Sequence, residues 1–280
     1  MNEPKNIDSR IGTLLLQSGK IKAEDADKIL QEQVRSNLRF GDAAIKLGLI
    51  KQSDVEEILS QQFHFPYMKK SDNKVDPSLI SAYIPYSNEV DKIRSLRGQL
   101  GVRWFNENKS LLVISTKSGT GNSVLSANLA VSYAQLGKKT LLVDANMRNP
   151  SIHSLFKVAN GKGLSDMLAS RTDSAPLVNV EEIDNLTLLT AGANPPNPVE
   201  LLSSAALSNL NGLFEEQFDV VIYDTSAYRE YGDAQAMMGA VKGLLLVARK
   251  NVTHMEDVKT LKLDASVNNA VIVGSALSEF

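Results

Sequence analysis

The sequence has 280 residues, 43% of them hydrophobic, and its 30 basic and 32 acidic side chains give a formal net charge of −2. This length and mixture predict a globular chain of two domains, exclude wholesale disorder and give no electrostatic case for binding a nucleic acid polymer. The absence of cysteine excludes disulfides and thiolate catalysis and is compatible with a reducing cytosol. No apolar run has the roughly 20 residues needed to span a bilayer, so we expect any membrane role to come through a partner.

The N-terminal part contains a tandem repeat. The segment RIGTLLLQSGKI, which starts at Arg10, recurs as RFGDAAIKLGLI, which starts at Arg39. Each copy predicts a short helix, a glycine-marked turn and a second helix, and the second helices are expected at Glu24–Gln33 and Ser53–Gln62. Two such hairpins predict a small all-α domain over residues 1–66.

This repeat resembles the N-terminal domain of type II secretion ATPases of the MshE type, which binds cyclic di-GMP. Both Arg-x-Gly openings, both later glycines and both closing glutamines match, whereas Lys20 stands where the first copy should have an aliphatic residue. An alternative stays open in which the glycines only form turns and the arginines only face water. The resemblance implies these cyclic di-GMP candidates: Arg10, Gly12, Gly19, Gln33, Arg39, Gly41, Gly48 and Gln62.

Prolines and polar residues then break the periodicity, which predicts a connector over residues 67–88 and a second domain over 89–280. The second domain opens with a predicted helix in which Asp91, Arg94 and Arg97 share one face. This spacing resembles the Glu-x-x-Arg-x-x-Arg assembly helix of bacterial tyrosine kinases, with Asp in place of Glu, and implies a homo-oligomer. The alternative is a solvated face with local ion pairs.

Six continuous aliphatic runs alternate with helical stretches in the second domain. Buried runs of this kind predict a doubly wound α/β fold with a mostly parallel sheet. The predicted strands are Leu111–Ser115, Thr140–Asp144, Leu186–Thr190, Asp219–Asp224, Gly243–Ala248 and Ala270–Gly274.

The loop STKSGTGNS follows the first predicted strand and precedes a helix, which is the setting of a phosphate-binding P-loop. Gly121 and Ser123 fit the P-loop pattern, but Thr116 holds the first glycine position and Asn122 replaces the lysine. Lys117 occupies the position of the signature lysine in ParA and MinD proteins, or is an ordinary surface lysine. The predicted nucleotide-binding residues are Lys117, Ser118, Gly119, Thr120, Gly121, Asn122, Ser123 and Val124.

Two carboxylates end buried strands beside this loop. Asp144 closes the second strand, where Asn146 stands in place of a usual second aspartate, and Asp224 closes the fourth strand as in a Walker B motif. We therefore predict that Ser123, Asp144 and Asp224 hold Mg²⁺. Asp144, Asp224 and Lys117 are the predicted catalytic residues.

The order of these motifs, together with the segments SLRGQLGVRWF, ANPPNPVELL and VARKN, resembles the chain-length-determinant tyrosine kinases of the EpsG type over residues 8–280. The resemblance implies an ATP-binding tyrosine autokinase that regulates exopolysaccharide chain length and export. It also implies a cytoplasmic location, peripheral to the inner membrane through a membrane-embedded polysaccharide co-polymerase.

The sequence departs from an active kinase at Asn122 and Asn146, which remove one cation and one anion from the same site and predict nucleotide binding with reduced turnover. The tail lacks a tyrosine cluster, and Tyr228 and Tyr231 are either phosphoacceptors or packing residues. Two other functions stay open: a regulatory adaptor that responds to nucleotide or cyclic di-GMP, and a positioning ATPase of the ParA or MinD type. The absence of a basic amphipathic C-terminal helix disfavours the last.

Overall fold

A computed structural model describes residues 6–55, 58, 68, 72–84, 87–172 and 175–278, with side chains from residue 11 onward. The chain divides into two compact units, Met1–Tyr67 and Met68–Phe280. Within the described residues, no helix combines the length and the apolar character needed to cross a membrane.

The first unit is helical, with α1 at Asn6–Gln17, α2 at Ala23–Ser36, α3 at Phe40–Lys46 and a further helical segment at 52–55. The turns that follow α1 and α3 contain Gly19 and Gly48, whose φ angles of 69° and 70° lie in the left-handed region that glycine adopts most easily. Each sequence repeat is therefore a helix, a glycine turn and a second helical segment. The shared core contains Leu15, Ile21, Ile29, Phe40, Ala43, Ala44, Ile50, Val55 and Ile58.

Much of the predicted connector, 67–88, packs into the second unit. Met68, Val75, Leu79 and Tyr83 are all buried in its core. The Tyr83 hydroxyl donates to the Val75 carbonyl (2.6 Å), and a short helix, α4, spans Ile80–Tyr83. The prolines in this stretch thus interrupt helical periodicity without producing a free linker.

The second unit is built on a seven-stranded sheet with strand order β3-β4-β2-β5-β1-β6-β7. All pairings are parallel except that of β3 with β4. The strands are β1 (Ser110–Ser115), β2 (Thr140–Asp144), β3 (Val178–Asn179), β4 (Leu186–Leu189), β5 (Val220–Asp224), β6 (Gly243–Arg249) and β7 (Val271–Ser278). The helices are α5 (Asn88–Arg103), α6 (Asn122–Ala134), α7 (Ile152–Leu155), α8 (Leu164–Leu168), α9 (Pro198–Leu202), α10 (Ala205–Gln217), α11 (Asp233–Met237) and α12 (Met255–Val267).

Both faces of the sheet are covered. Leu111 and Val113 of β1 belong to one apolar cluster, and Leu112 and Ile114 belong to the cluster on the other face. Because successive strand residues point to opposite faces, such a strand needs apolar residues at every position. The predicted doubly wound α/β fold is confirmed, with β3 as an unpredicted addition.

Candidate nucleotide-binding site

The candidate loop lies at the carboxyl end of β1, which is flanked by β5 and β6 in the middle of the sheet. Its backbone turns at Gly119 and Gly121, with φ angles of 71° and 87°, and α6 begins directly afterwards at Asn122. The first amides of an α-helix have no acceptor within the helix, and the helix dipole adds positive potential there. The loop and the start of α6 are therefore suited to bind an anion.

Asp224 is a buried acid that hydrogen bonds directly to the first turn of α6. It ends β5, is fully buried and pairs in register with Asp144 of β2. The Asn122 side-chain amide donates to Asp224 Oδ1 at 2.7 Å, and the Ser126 hydroxyl donates to the same oxygen at 3.2 Å. The first turn of α6 is thus tied to the end of β5.

Several buried polar atoms around this junction have no hydrogen-bond partner. They are Thr116 Oγ1, Thr120 Oγ1, Asn122 Oδ1 and Asp224 Oδ2. Hydroxyl groups can donate to phosphate oxygens, and a bare carboxylate oxygen is a hard ligand that suits Mg²⁺. The described residues hold no group of three or more His, Cys, Asp or Glu side chains that could bind a metal. One or two carboxylates are nevertheless enough for a magnesium ion that also binds substrate phosphates, so these residues fit Mg·ATP.

Asp144, by contrast, already has hydrogen bonds to both carboxylate oxygens. The backbone N–H groups of Ser151 and Ile152 donate to Oδ2 at 3.0 Å each, and that of Asn146 donates to Oδ1 at 3.2 Å. Asp144 thereby caps the start of α7, a structural role that the sequence did not reveal. Burial, and secondarily repulsion from Asp224, raises the pKa of Asp144.

Replacing Asp224 with Asn should raise the free energy of unfolding of the magnesium-free protein by about 1–2 kcal/mol near pH 7.5. Burial raises the pKa of Asp224 above the value of about 4 that aspartate has in the unfolded chain. Below about pH 4 this residue is protonated in both states and its contribution to stability is fully present. That contribution is lost as the pH rises through the raised pKa, because the buried group must then ionise. The gain in the variant should therefore shrink near pH 5. Urea denaturation followed by fluorescence of Trp104, the single tryptophan, measures it; an equal gain at both pH values would contradict the assignment.

Lys117, Asn146 and Val124 differ in whether the chain itself already uses their polar groups. Lys117 is partly exposed, and its ammonium has no hydrogen bond or ion pair within the described part of the chain. Asn146 uses its side-chain oxygen to accept from the Asn149 N–H (3.2 Å), which shapes the loop after β2. The Val124 carbonyl accepts from Asn128 (2.9 Å) inside α6. Lys117 is therefore the predicted loop cation with freedom to reach a ligand.

Two charged contacts to the loop were missed by the sequence analysis. Arg249 of β6 donates to the Gly119 carbonyl at 2.6 Å, and Glu230 accepts from the Ser118 N–H at 2.8 Å. Arg249 lies in the segment VARKN, which the sequence singled out as a motif, but the sequence did not predict its contact with Gly119. Glu230 lies in an irregular loop after β5, and no sequence signal pointed to it.

A partly buried ion pair connects the loop after β2 to the start of α11, which follows the loop after β5. Arg148 donates from Nε and Nη2 to the two carboxylate oxygens of Asp233, at 2.8 and 3.0 Å. Its guanidinium also lies 4.3 Å from the centre of the Tyr231 ring. The two loops beside Asp144 and Asp224 therefore form one connected structure.

The repeat glycines of the first unit have packing and turn roles. A Cβ on Gly12 would lie 3.2 Å from the Phe40 ring, and one on Gly41 would lie 3.3 Å from Val55. Gly19 and Gly48 occupy the two left-handed turns. These contacts explain the glycines without a ligand.

The polar candidates of the repeat are described to different extents. Arg39 precedes α3 and is exposed, with no ion pair among the described side chains. The Gln33 carbonyl accepts from the N–H groups that end α2. Arg10 lies in α1, its side chain is outside the described part, and Gln62 is outside the described residues.

The predicted assembly face on α5 is partly used within the chain. Asp91 and Arg94 form an ion pair at 3.2 Å. Arg97 donates to the Ser132 carbonyl at 2.7 Å and is half-buried against α6. Burial, and secondarily the neighbouring Arg94, lowers the Arg97 pKa. Arg97 thus has an internal packing role whether or not this face meets another subunit.

Comparison with known proteins places this geometry in a family. The family described as ParA, NUBPL iron-transfer P-loop NTPase, matches residues 106–201. The chain is 33% identical to the tyrosine-protein kinase relative CapB of Staphylococcus aureus, over 76% of this chain and 93% of CapB. It is 30% identical to tyrosine-protein kinase YwqD of Bacillus subtilis, over 75% of this chain and 89% of that protein.

The solved kinase domain of the Escherichia coli tyrosine kinase ETK matches with a TM-score of 0.69 and 26% identity, over 76% of this chain and 88% of that one. The chain belongs to the bacterial tyrosine-protein kinases, which are P-loop proteins. This confirms the predicted family and favours it over the ParA or MinD alternative.

Proposed function

We propose that the second unit binds Mg·ATP at the loop between β1 and α6, through the backbone amides and hydroxyls of residues 117–124. The observation that carries this proposal is the set of buried polar atoms without partners on Thr116, Thr120 and Asp224. A buried polar atom without a hydrogen bond costs about 1–3 kcal/mol. A triphosphate with its metal would offer partners to hydroxyl and carboxylate groups of this kind.

Ser123 and Asp224 would hold the magnesium ion, with Asp144 beside them, and the ion would neutralise charge on the phosphates. Lys117 is available to add a second positive charge. Arg249 donates to the Gly119 carbonyl, which places a further positive charge beside the loop.

We further propose protein tyrosine phosphorylation as the reaction, with Tyr231 as an acceptor. Tyr231 is 37% exposed, and its hydroxyl has no hydrogen bond within the described part of the chain. The four other described tyrosines use their hydroxyls internally: Tyr83 bonds Val75, Tyr133 bonds Arg97, Tyr223 bonds Asn211 and Tyr228 bonds Asp264. Tyr228, the other acceptor candidate from the sequence, is buried and serves packing.

Turnover in this site is expected to be slow because of the two asparagines. Asn122 is neutral where a lysine would carry charge to the phosphates, and its amide is occupied by Asp224 and by the carbonyls of Val113 and Thr225. Asn146 offers no carboxylate. The site therefore favours nucleotide binding over fast phosphoryl transfer.

At the level of the cell, we propose a regulator of exopolysaccharide synthesis that assembles with copies of itself and with a membrane-embedded polysaccharide co-polymerase, at the cytoplasmic side of the inner membrane. Family membership supports this role. A cavity of about 340 Å³ next to α5, lined in part by Arg97, Gly98, Gly101 and Phe105, supports self-assembly, because the two glycines leave that helix face open.

Replacing Asn122 with Lys and Asn146 with Asp in one variant should increase tyrosine phosphorylation about 10- to 100-fold, because the lysine would neutralise charge on the phosphates and the aspartate would help to hold Mg²⁺ or to orient the acceptor hydroxyl. Calorimetry gives the Mg·ATP affinity, and mass spectrometry after incubation with Mg·ATP gives phosphate per tyrosine. The double variant Gln31→Lys with Asn209→Asp makes the same charge changes at exposed positions on α2 and α10 and is the control.

Binding of Mg·ATP without any phosphotransfer in either protein would favour the regulatory adaptor. Absence of nucleotide binding by the folded chain would contradict the proposed function. We also propose that the first unit binds cyclic di-GMP through its exposed Arg39, and calorimetry with that ligand is the test. No heat of binding would contradict this proposal.

A further inference from the structure

The loop proposed to bind nucleotide already binds an anion from its own chain. Glu230 Oε1 accepts a hydrogen bond from the backbone N–H of Ser118 at 2.8 Å. The contact lies at the protein surface, and a carboxylate oxygen there resembles a phosphate oxygen in charge and in hydrogen-bonding capacity.

Neighbouring hydrogen bonds hold Glu230 in this place. The N–H of Tyr228 donates to the Ser115 carbonyl at 2.8 Å, and that of Arg229 donates to the Thr116 carbonyl at 3.1 Å. The Tyr228 side chain is buried, with its hydroxyl bonded to Asp264 of α12. The backbone before Glu230 is therefore fixed against the start of the P-loop, which favours a defined carboxylate contact over a chance approach of a mobile side chain.

This contact matters because residues 116–123 supply little positive charge for binding an anion. Asn122 supplies no charge at the position where P-loops carry a lysine, so Lys117 is the cation that residues 116–123 themselves provide. The Glu230 carboxylate at Ser118 adds a negative charge to this loop, where Arg249 at the Gly119 carbonyl is the other neighbouring cation. It also occupies an amide that belongs to the proposed phosphate-binding segment.

We propose that Glu230 is an internal competitor of the nucleotide phosphates, and that it sets the affinity of the loop for anions. The inference rests on the proposed function, since it concerns the same loop. A phosphate group and the Glu230 carboxylate cannot both accept from the Ser118 N–H in the same geometry, and two anions side by side repel each other. Binding of a nucleotide therefore requires the carboxylate to leave, and the requirement grows with the number of phosphate charges.

Two substitutions separate the charge from the hydrogen bond. Glu230→Gln keeps an oxygen that can accept from Ser118 but removes the charge, whereas Glu230→Ala removes both. We expect Mg·ATP to bind about tenfold more tightly to Glu230→Ala, with Glu230→Gln between this variant and the wild-type chain. Mg·ADP should gain less than Mg·ATP, and adenosine should gain nothing.

Isothermal titration of the full chain with these three ligands is the test. Glu216→Gln, at an exposed site on α10, makes the same change in net charge and should leave each affinity unchanged. The gain from Glu230→Ala should diminish at 0.5 M salt, because screening weakens charge repulsion. Equal melting temperatures confirm that the variants are folded.

The titrations distinguish failure of the inference about Glu230 from failure of the proposed Mg·ATP binding. If the wild-type chain binds Mg·ATP and the Glu230 variants bind it equally or more weakly, Glu230 supports the loop and does not compete, and the inference is wrong. If neither the wild-type chain nor any variant binds nucleotide, the proposed function fails and this inference fails with it.

Discussion

Replacing Gly163 with Ala should lower the free energy of unfolding by more than about 3 kcal/mol. Gly163 precedes α8, and a Cβ at this position would lie 2.2 Å from the Thr190 carbonyl oxygen and 2.3 Å from the Gly192 nitrogen. Both atoms belong to the backbone just after β4, so no side-chain rotation can relieve the overlap. The methyl group must displace one of two hydrogen-bonded segments.

The displacement would also break hydrogen bonds that join these segments. The N–H of Leu164 donates to the Thr190 carbonyl at 2.8 Å, and that of Ser165 donates to the Ala191 carbonyl at 3.0 Å. Buried backbone groups that lose a partner add to the steric cost. Most of the effect should therefore appear as a fall in the denaturation midpoint.

Gly161→Ala is the matched control, because nothing lies within 4 Å of a Cβ built on that residue. Urea denaturation can be followed through Trp104, whose ring packs against Gly243 in the same unit. We expect Gly161→Ala to change the unfolding free energy by less than about 0.5 kcal/mol. A similar loss in both variants would mean that general backbone effects, and not the close approach at Gly163, are responsible.

The strands of the sheet were predictable because each depends on a short-range pattern, whereas their order in the sheet was not predicted. Continuous aliphatic runs such as Thr140–Asp144 identify buried parallel strands without knowledge of their neighbours. The six predicted strands all occur in the structure, and β2 has the predicted bounds. The short strand β3, Val178–Asn179, pairs antiparallel with β4, and its two residues carry no periodic signal.

The site was only partly predictable because its contacts join residues distant in sequence. The loop 116–123 and Asp224 were visible as motifs, but the bond between Asn122 and Asp224 spans about a hundred residues. Asp144 was predicted as a metal ligand from its place at the end of a strand, and only the structure shows that three backbone amides donate to its carboxylate. Only the fold reveals whether a carboxylate has been satisfied by the backbone.

Arg148→Met should destabilise the protein by about 2–3 kcal/mol. The substitution leaves the Asp233 carboxylate, which is completely buried, without the guanidinium that binds both of its oxygens. The Ser226 hydroxyl would still donate to Asp233 Oδ2 at 3.0 Å, and Arg148 itself is 29% exposed. Because Ser226 still binds Asp233 and Arg148 is partly exposed, the expected loss of unfolding free energy is smaller than for a fully buried ion pair.

The double variant Arg148→Met with Asp233→Asn distinguishes burial of an unpaired charge from loss of packing. It removes both charges, and the amide oxygen of the introduced asparagine can still accept from Ser226. We expect it to be less destabilised than the single variant, with a loss of about 1 kcal/mol or less. Urea denaturation of the wild-type chain and the two variants gives the comparison, and an equal loss in both would assign the effect to packing against the Tyr231 ring.

The same pair should influence nucleotide affinity, since it fixes the loop that carries Glu230 and Tyr231. Arg148 and Asp233 hold the carboxyl-terminal end of this loop, while Tyr228 and Arg229 hold its other end against the P-loop. Loosening the far end at Asp233 should let Glu230 leave Ser118 more easily. Arg148→Met is therefore expected to lower the free energy of unfolding and to raise the affinity for Mg·ATP. The two quantities change in opposite directions because the ion pair both stabilises the fold and keeps the Glu230 carboxylate at Ser118.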